Sequence, residues 1–172
     1  MNLYVTADAN WAIGNNNNLL IQIPRSRKMF LEETRGKVLV MGRKALATLP
    51  QGLPLAGRTN IVLSRHKDLK IKGATVINSM QALSEELKQY PGEDIYIVGG
   101  ESVFKQLLPY CNVAHVVKLD HAYTANKYFP NLDKASDWRL TADSEEFTYF
   151  DIAYEFLKYE RITFTNEMNT VY

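Results

Sequence analysis

The sequence predicts an α/β fold, a mixed sheet with helices on both faces. Through Pro109 the chain alternates short apolar runs of β-formers with stretches of helical periodicity; from Val113 onward it is β-like almost throughout. Such alternation builds parallel strands joined by helical crossovers, and a β-only end adds antiparallel strands. A third observation is one unit of that pattern, residues 93–109. Ile95, Tyr96, Ile97 and Val98 read as a strand buried on both faces, and Gly99 and Gly100 break it. Val103, Phe104, Leu107 and Leu108 then share a helical face until Pro109 stops it. A glycine turn at a helix start leaves N–H groups open to a ligand and suits a pyrophosphate. It lacks the full G-x-G-x-x-G spacing, so a plain packing turn accounts for it equally well.

Taken in order, residues 3–7 are the first expected strand. Residues 10–18, ending in four consecutive asparagines, are a polar loop, either a plain connection or a mobile flap beside a site. Pro24 opens a helix to about Arg35, with Phe30 the one strong anchor of a thin apolar face. Gly36 ends it. Residues 37–41 are a second strand, and Gly42, Arg43 and Lys44 turn into a short helix over 45–49. A Pro/Gly-rich loop leads to strands over 58–64 and 74–77. Ser79 caps a helix in which Met80, Leu83 and Leu87 share a face. Residues 113–119 are a strand and 124–131 a polar connection. Residues 138–142 and 147–162 form a closing antiparallel pair rich in aromatics. Residues 1–162 are expected to form one domain and 163–172 a frayed tail.

Lys and Arg number 20 against 19 Asp and Glu, a net charge of +1 that argues against a nucleic-acid module and a polybasic membrane surface. Cys111 is the single cysteine, so no intrachain disulfide can form and a reducing compartment fits. The N-terminus lacks the basic and apolar regions of a signal peptide, and no apolar run approaches the ~20 residues of a membrane span. A cytoplasmic location is expected. His66, His115 and His121 show no ligand spacing with cysteine or paired acids, so no metal site is expected.

Six motifs occur in order. They are Trp11-Ala12-Ile13-Gly14, Ile23-Pro24 with Phe30, Val40-Met41-Gly42-Arg43, the run Leu-Ala-Gly-Arg-Thr-Asn-Ile-Val-Leu-Ser over 55–64, Ile97-Val98-Gly99-Gly100, and Tyr128-Phe129-Pro130. Each is unspecific alone. Six in register, from Leu3 to Ile162, resemble dihydrofolate reductase. The resemblance implies an eight-stranded mixed sheet flanked by helices on both faces, NADPH as hydride donor, a cleft for dihydrofolate, a monomer, and a cis peptide between Gly99 and Gly100.

On the cofactor side, the resemblance implies that Gly42, Arg43, Lys44 and Ala45 at one strand end and Leu63, Ser64 and Arg65 at another grip the adenosine phosphates. Guanidinium groups make forked, charge-assisted bonds that suit a 2′-phosphate. Thr6, Ile13, Asn17, Leu19 and Val98 match further cofactor positions, as do Gly99, Gly100, Glu101, Ser102 and Val103. Ala45 stands where the family usually has threonine, a loss of one hydroxyl worth ~1 kcal/mol.

The substrate side departs from the family. There an Asp or Glu follows two residues after the proline, pairs with the 2-amino group and N3 of the pteridine, and helps N5 gain its proton. This chain has Ser26, which carries no charge and cannot take both bonds of a forked donor as a carboxylate does. Arg27 replaces a residue that is usually apolar. Val117 replaces the pteridine-side threonine, and Ile21 a frequent tryptophan. Arg58 matches the arginine that holds the glutamate α-carboxylate. Val5, Thr6, Phe30, Leu49, Leu55, Val98 and Phe104 match the walls of the folate cleft. Three functions follow: a dihydrofolate reductase with impaired or altered catalysis, an NADPH-dependent reductase of a different, anionic substrate, or a non-catalytic NADPH- or folate-binding protein.

Overall fold

The computed structural model describes residues 1–162; the expected tail, 163–172, lies outside the described residues. The first half contains β1 (Asn2–Ala7), β2 (Ala12–Gly14), α1 (Pro24–Glu33), β3 (Val38–Gly42), α2 (Arg43–Ala47), β4 (Thr59–Leu63), β5 (Thr75–Ile77) and α3 (Met80–Leu87). The second contains β6 (Ile95–Gly99), α4 (Glu101–Leu107), β7 (Val113–Leu119), β8 (Lys127–Tyr128), β9 (Trp138–Asp143), β10 (Phe147–Tyr149) and β11 (Ile152–Arg161). Among the described residues, nine strands share one sheet: eight follow the order β10-β11-β7-β1-β6-β3-β4-β5, and β9 adds to β11. From β7 to β5 the pairs are parallel, and β11 runs antiparallel to β7, β9 and β10.

Alternation along the strands builds two cores, because successive side chains point to opposite faces. Leu3, Val5, Val38, Val40, Ile61, Ile95 and Ile97 face α3 and α4, where Leu83, Leu87, Val103, Phe104 and Leu107 meet them. Tyr4, Leu39, Met41, Val62, Tyr96 and Val117 turn to the other face, where Phe30 of α1 and Leu46 of α2 cover them. Leu3, Val40, Ile61 and Ile97 are fully buried, and each such side chain contributes about 1.5–3 kcal/mol of transfer free energy. Ser79 caps α3 as its side chain accepts from Ala82 N–H.

The connectivity opens a crevice. After β1 the chain passes through α1 to β3 on one side; after β6 it passes through α4 to β7 on the other. Ligands of open α/β sheets bind beyond the carboxyl ends of strands at such a divergence. The Gly99–Gly100 peptide is cis, as the family resemblance implies. The register between β3 and β6 shifts there, with Met41 opposite Gly99 and Val98 skipped.

The structure differs from expectation in five places. The polar loop 10–18 contains β2, and the connection 124–131 contains β8; the two pair as a separate antiparallel ribbon. The expected strand 147–162 is a hairpin, turned at Phe150 and Asp151 with φ of 45° and 66°. Helix α2 starts at Arg43 rather than 45 and stops at Ala47, because Leu49 precedes Pro50 and takes extended φ/ψ. Helix α1 ends at Glu33 rather than Arg35, with the C-cap at Thr34, whose hydroxyl donates to Phe30 O at 2.7 Å. Its buried residue is Ser26, while Phe30 is half-buried.

Candidate active site

A cleft of about 680 Å³ occupies the crevice, a size ordinary for a small-molecule or cofactor site. Its floor is the carboxyl ends of four parallel strands: Val5 and Thr6 from β1, Gly42 at the end of β3, Leu63 at the end of β4, and Val98 and Gly100 around the end of β6. Helix α1 supplies Ser26, Arg27 and Phe30 along one wall. Ile13, Asn17 and Leu19 reach in from the asparagine loop.

That loop is held by polar bonds at its base. Asp8 is fully buried. Its Oδ1 accepts from Asn10 and Ala12 N–H at 2.8 and 2.9 Å, and its Oδ2 accepts from Tyr123 N–H at 2.8 Å. A carboxylate that receives three backbone donors fixes the strand's exit and ties the loop to the segment before β8. The loop tip is held by side-chain amides: Asn16 N–H donates to Asn126 Oδ1, and Asn126 Nδ2 donates to Asn16 Oδ1, both at 3.2 Å.

One end of the cleft is built for an anion. Arg43, Lys44 and Ala45 follow β3, and Ser64 and Arg65 follow β4, with His66 beside them. Ser102 and Val103 line it from the start of α4. A Cβ at Gly42 would stand 3.3 Å from Val103 Cγ2, and one at Gly99 would stand 3.1 Å from the Phe104 ring. The Gly42 Cβ would also lie 3.8 Å from Gly99 O, so the two glycine turns pack closely, while a Cβ at Gly100 would meet nothing within 4 Å.

The other end is neutral to positive. Ser26, 8% exposed, lines it with Arg27, Ile21, Gln22, Ile23 and Tyr4. The Tyr4 ring lies 5.3 Å from Phe30. Burial first, and Glu33 second, push the Tyr4 phenol up, so it stays protonated. Among the described residues lining the cleft, five carry full positive charge, Arg27, Arg43, Lys44, Arg65 and Lys127, against one carboxylate, Glu101. Glu101 sits at the anion end, where the backbone N–H of Tyr128 holds its carboxyl below the ordinary range.

Four expected site residues lie outside this lining: Leu55, Arg58, Gly99 and Val117. Val117 is 1% exposed and packs with Tyr4 and Ile23 beneath the cleft. Leu55 packs against the cluster of Leu39, Met41, Leu46, Val62 and Tyr96. Gly99 turns its α-carbon toward Phe104. Arg58 spends its guanidinium on the protein: on Leu31 O, on Ala56 O at 2.7 Å and on Thr34 Oγ1 at 3.4 Å. Conversely, Tyr4, Gln22, Leu31, Thr48, Asn78, Met80 and Gln106 line the cleft without having been expected there. Strand alternation places Tyr4 on the α1 face. Asn78 and Met80 arrive only because β5 lies beside β4, which sequence spacing does not reveal.

A family model described as dihydrofolate reductase matches residues 1–161. The chain belongs to the dihydrofolate reductase family. It is similar to the dihydrofolate reductase of Bacillus subtilis, 32% identical over 158 residues that cover 90% of each chain. It is also similar to that of Mycobacterium tuberculosis, 31% identical over 153 residues, 87% of this chain and 90% of the relative. Among solved structures, Enterococcus faecalis dihydrofolate reductase complexed with NADP(H) and RAB-propyl superposes with a TM-score of 0.79 at 27% identity, covering 94% and 96% of the two chains. Among the described residues, no helix is long and apolar enough to cross a membrane, and no group of His, Cys, Asp and Glu could hold a metal ion. Among the described residues, Ser26 and Arg27, and no carboxylate, line the end of the cleft opposite the anion turns.

Proposed function

We propose that the protein reduces dihydrofolate to tetrahydrofolate with NADPH, and that Ser26 makes proton delivery its weak step. The observation that carries this reading is the asymmetry of the cleft. Arg43, Lys44, Ser64 and Arg65 and the bare backbone of two glycine turns line one end. These groups fit the phosphates of a phosphorylated dinucleotide: forked donors for the 2′-phosphate, backbone N–H groups for the pyrophosphate. When bound, NADPH supplies the hydride. Thr6, Ile13 and Val98 line the same cleft and would wall the reacting rings. Phe30 and Leu49 line the cleft where they would enclose the middle of a folate; Arg58, outside the lining and bonded to Leu31 O and Ala56 O, would have only its remaining N–H groups for a carboxylate.

At the pteridine end the chain's own contribution is limited. The Ser26 hydroxyl can hold one amino donor and cannot bear negative charge. The proton for N5 then comes from water. Loss of the charge-assisted pair costs ~1.5–3 kcal/mol of binding, and loss of assisted proton transfer costs ~10²–10⁴ in rate. An assay that follows NADPH absorbance with dihydrofolate decides the matter. Slow but saturable turnover is expected; no oxidation above background refutes the reading.

A second reading is favoured by Arg27, which lines the cleft beside Ser26. Together they shift this end by two charge units relative to the family pattern, which suits an anionic substrate in place of a cationic pteridine. It predicts NADPH binding without folate turnover, and oxidation of NADPH by an acidic heterocycle or carbonyl compound. A substrate screen without any such oxidation counts against it.

A further inference from the structure

The sole carboxylate among the described cleft residues stands at the end lined by Arg43, Lys44 and Arg65. A negative side chain there opposes an anionic ligand, so its presence calls for another role. Its contacts supply one. Glu101 opens α4 directly after Gly100. Its Oε2 accepts from the backbone N–H of Tyr128 at 2.6 Å, and its Oε1 lies 3.5 Å from Lys105 Nζ. Tyr128 belongs to β8 and pairs with Ala12 of β2, while Lys127 pairs with Gly14. The same ribbon carries the asparagine loop: Asn126 N–H donates to Gly14 O at 3.1 Å, and the Asn126 side chain accepts from the Asn16 backbone N–H and donates to Asn16 Oδ1.

We propose that Glu101 is a positioning residue that ties the β2–β8 ribbon to the first turn of α4. Through it the loop over the cleft and the backbone beneath the cofactor's phosphates keep one relative position. A carboxylate is suited to this because a charge-assisted bond to a backbone N–H is about twice as strong as a neutral one. Lys105 and Lys127 beside it offset the charge it brings to the anion end. The inference rests on the reading that the cleft takes NADPH.

The test compares wild type, Glu101→Gln and Glu101→Ala by NADPH binding kinetics, by amide hydrogen exchange of the free protein, and by thermal unfolding. Gln keeps an acceptor for Tyr128 and sheds the charge, so its NADPH affinity should rise about threefold. Ala also sheds the charge but loses the acceptor; NADPH release should quicken about tenfold, and the amides of Asn16 and Asn126 should exchange about tenfold faster. The opposite signs carry the inference. If Ala tightens NADPH as Gln does, Glu101 acts only as a charge and the proposal falls. If both leave NADPH release unmoved while the unfolding temperature drops, the bond is only a fold contact and the proposal also falls. Absence of NADPH binding to the wild type overturns the cofactor reading and this one together; intact binding with the two variants alike overturns this one alone.

Discussion

Ser26 and Arg58 show how a residue's surroundings, rather than its type, decide its part. Serine on the first turn of a helix is ordinarily solvated, yet here it is 8% exposed and lines the cleft. Ser26→Asp would place a carboxylate at the pteridine end with no competing acid nearby. It should raise kcat/KM for dihydrofolate by ~10²–10⁴, read as NADPH oxidation at saturating cofactor. An unchanged rate would mean that the pteridine does not sit beside this position. Arg58 illustrates the converse. Its bonds to Leu31 O and Ala56 O hold the end of α1 against the loop before β4. Arg58→Ala should therefore lower the unfolding free energy by about 1–3 kcal/mol in urea titration, apart from any effect on KM. A variant with raised KM and full stability would show that those carbonyls find other donors.

Among the elements, strands with clean alternation were legible from sequence alone. β7 begins and ends as expected, at Val113 and Leu119, because its apolar residues alternate between two covered faces. β2 and β8 were not legible. They have three and two residues and exist only through pairing with each other across more than a hundred positions of chain. The β10–β11 turn was missed because Phe150 and Asp151 take positive φ without the glycine or asparagine that usually marks it. The cleft shows the same division. Residues at strand ends within family motifs could be placed, whereas Tyr4 and Asn78 depend on which strands become neighbours. Across β6, β1 and β7 that neighbourhood gathers Tyr96, Tyr4 and His115, with ring centroids 5.7 Å apart for Tyr4–His115 and 6.1 Å for Tyr96–His115. Burial lowers the pKa of His115; Glu33 at the end of α1 opposes this, and Lys158 on β11 adds to it. Below the unfolded-state value of ~6.5, the unfolded chain takes a proton that the folded chain refuses. Stability should thus hold above that pH and decline as pH falls through it, until the lower folded-state value is reached. Thermal unfolding from about pH 8 to about pH 5 should show the decline, and His115→Phe should flatten it. An equal slope in the variant would assign the decline to the carboxylates.

Over the whole molecule, a formal charge of +1 conceals a strongly uneven distribution. The cleft collects five cations and one carboxylate among its described lining residues, so most acids lie elsewhere on the surface. Composition alone could not show this, because the cations come from α1, from the turns after β3 and β4, and from β8, which only the sheet order brings together. A concave, low-dielectric cleft focuses such charge and draws an anion toward it faster than diffusion over a neutral surface would. The screening length is ~10 Å at about 0.1 M salt, shorter than a long cleft lined from several elements. Stopped-flow association of NADPH should therefore slow by about five- to tenfold between about 10 mM and about 300 mM salt. The dissociation rate should change less, because contacts inside the cleft are screened less than the approach to it. Arg65→Ala removes one source of the field at the anion end, and its association rate should depend less steeply on salt. If wild-type association ignores ionic strength, the surface acids cancel the field before it reaches solvent. Cofactor capture would then depend on contact geometry alone.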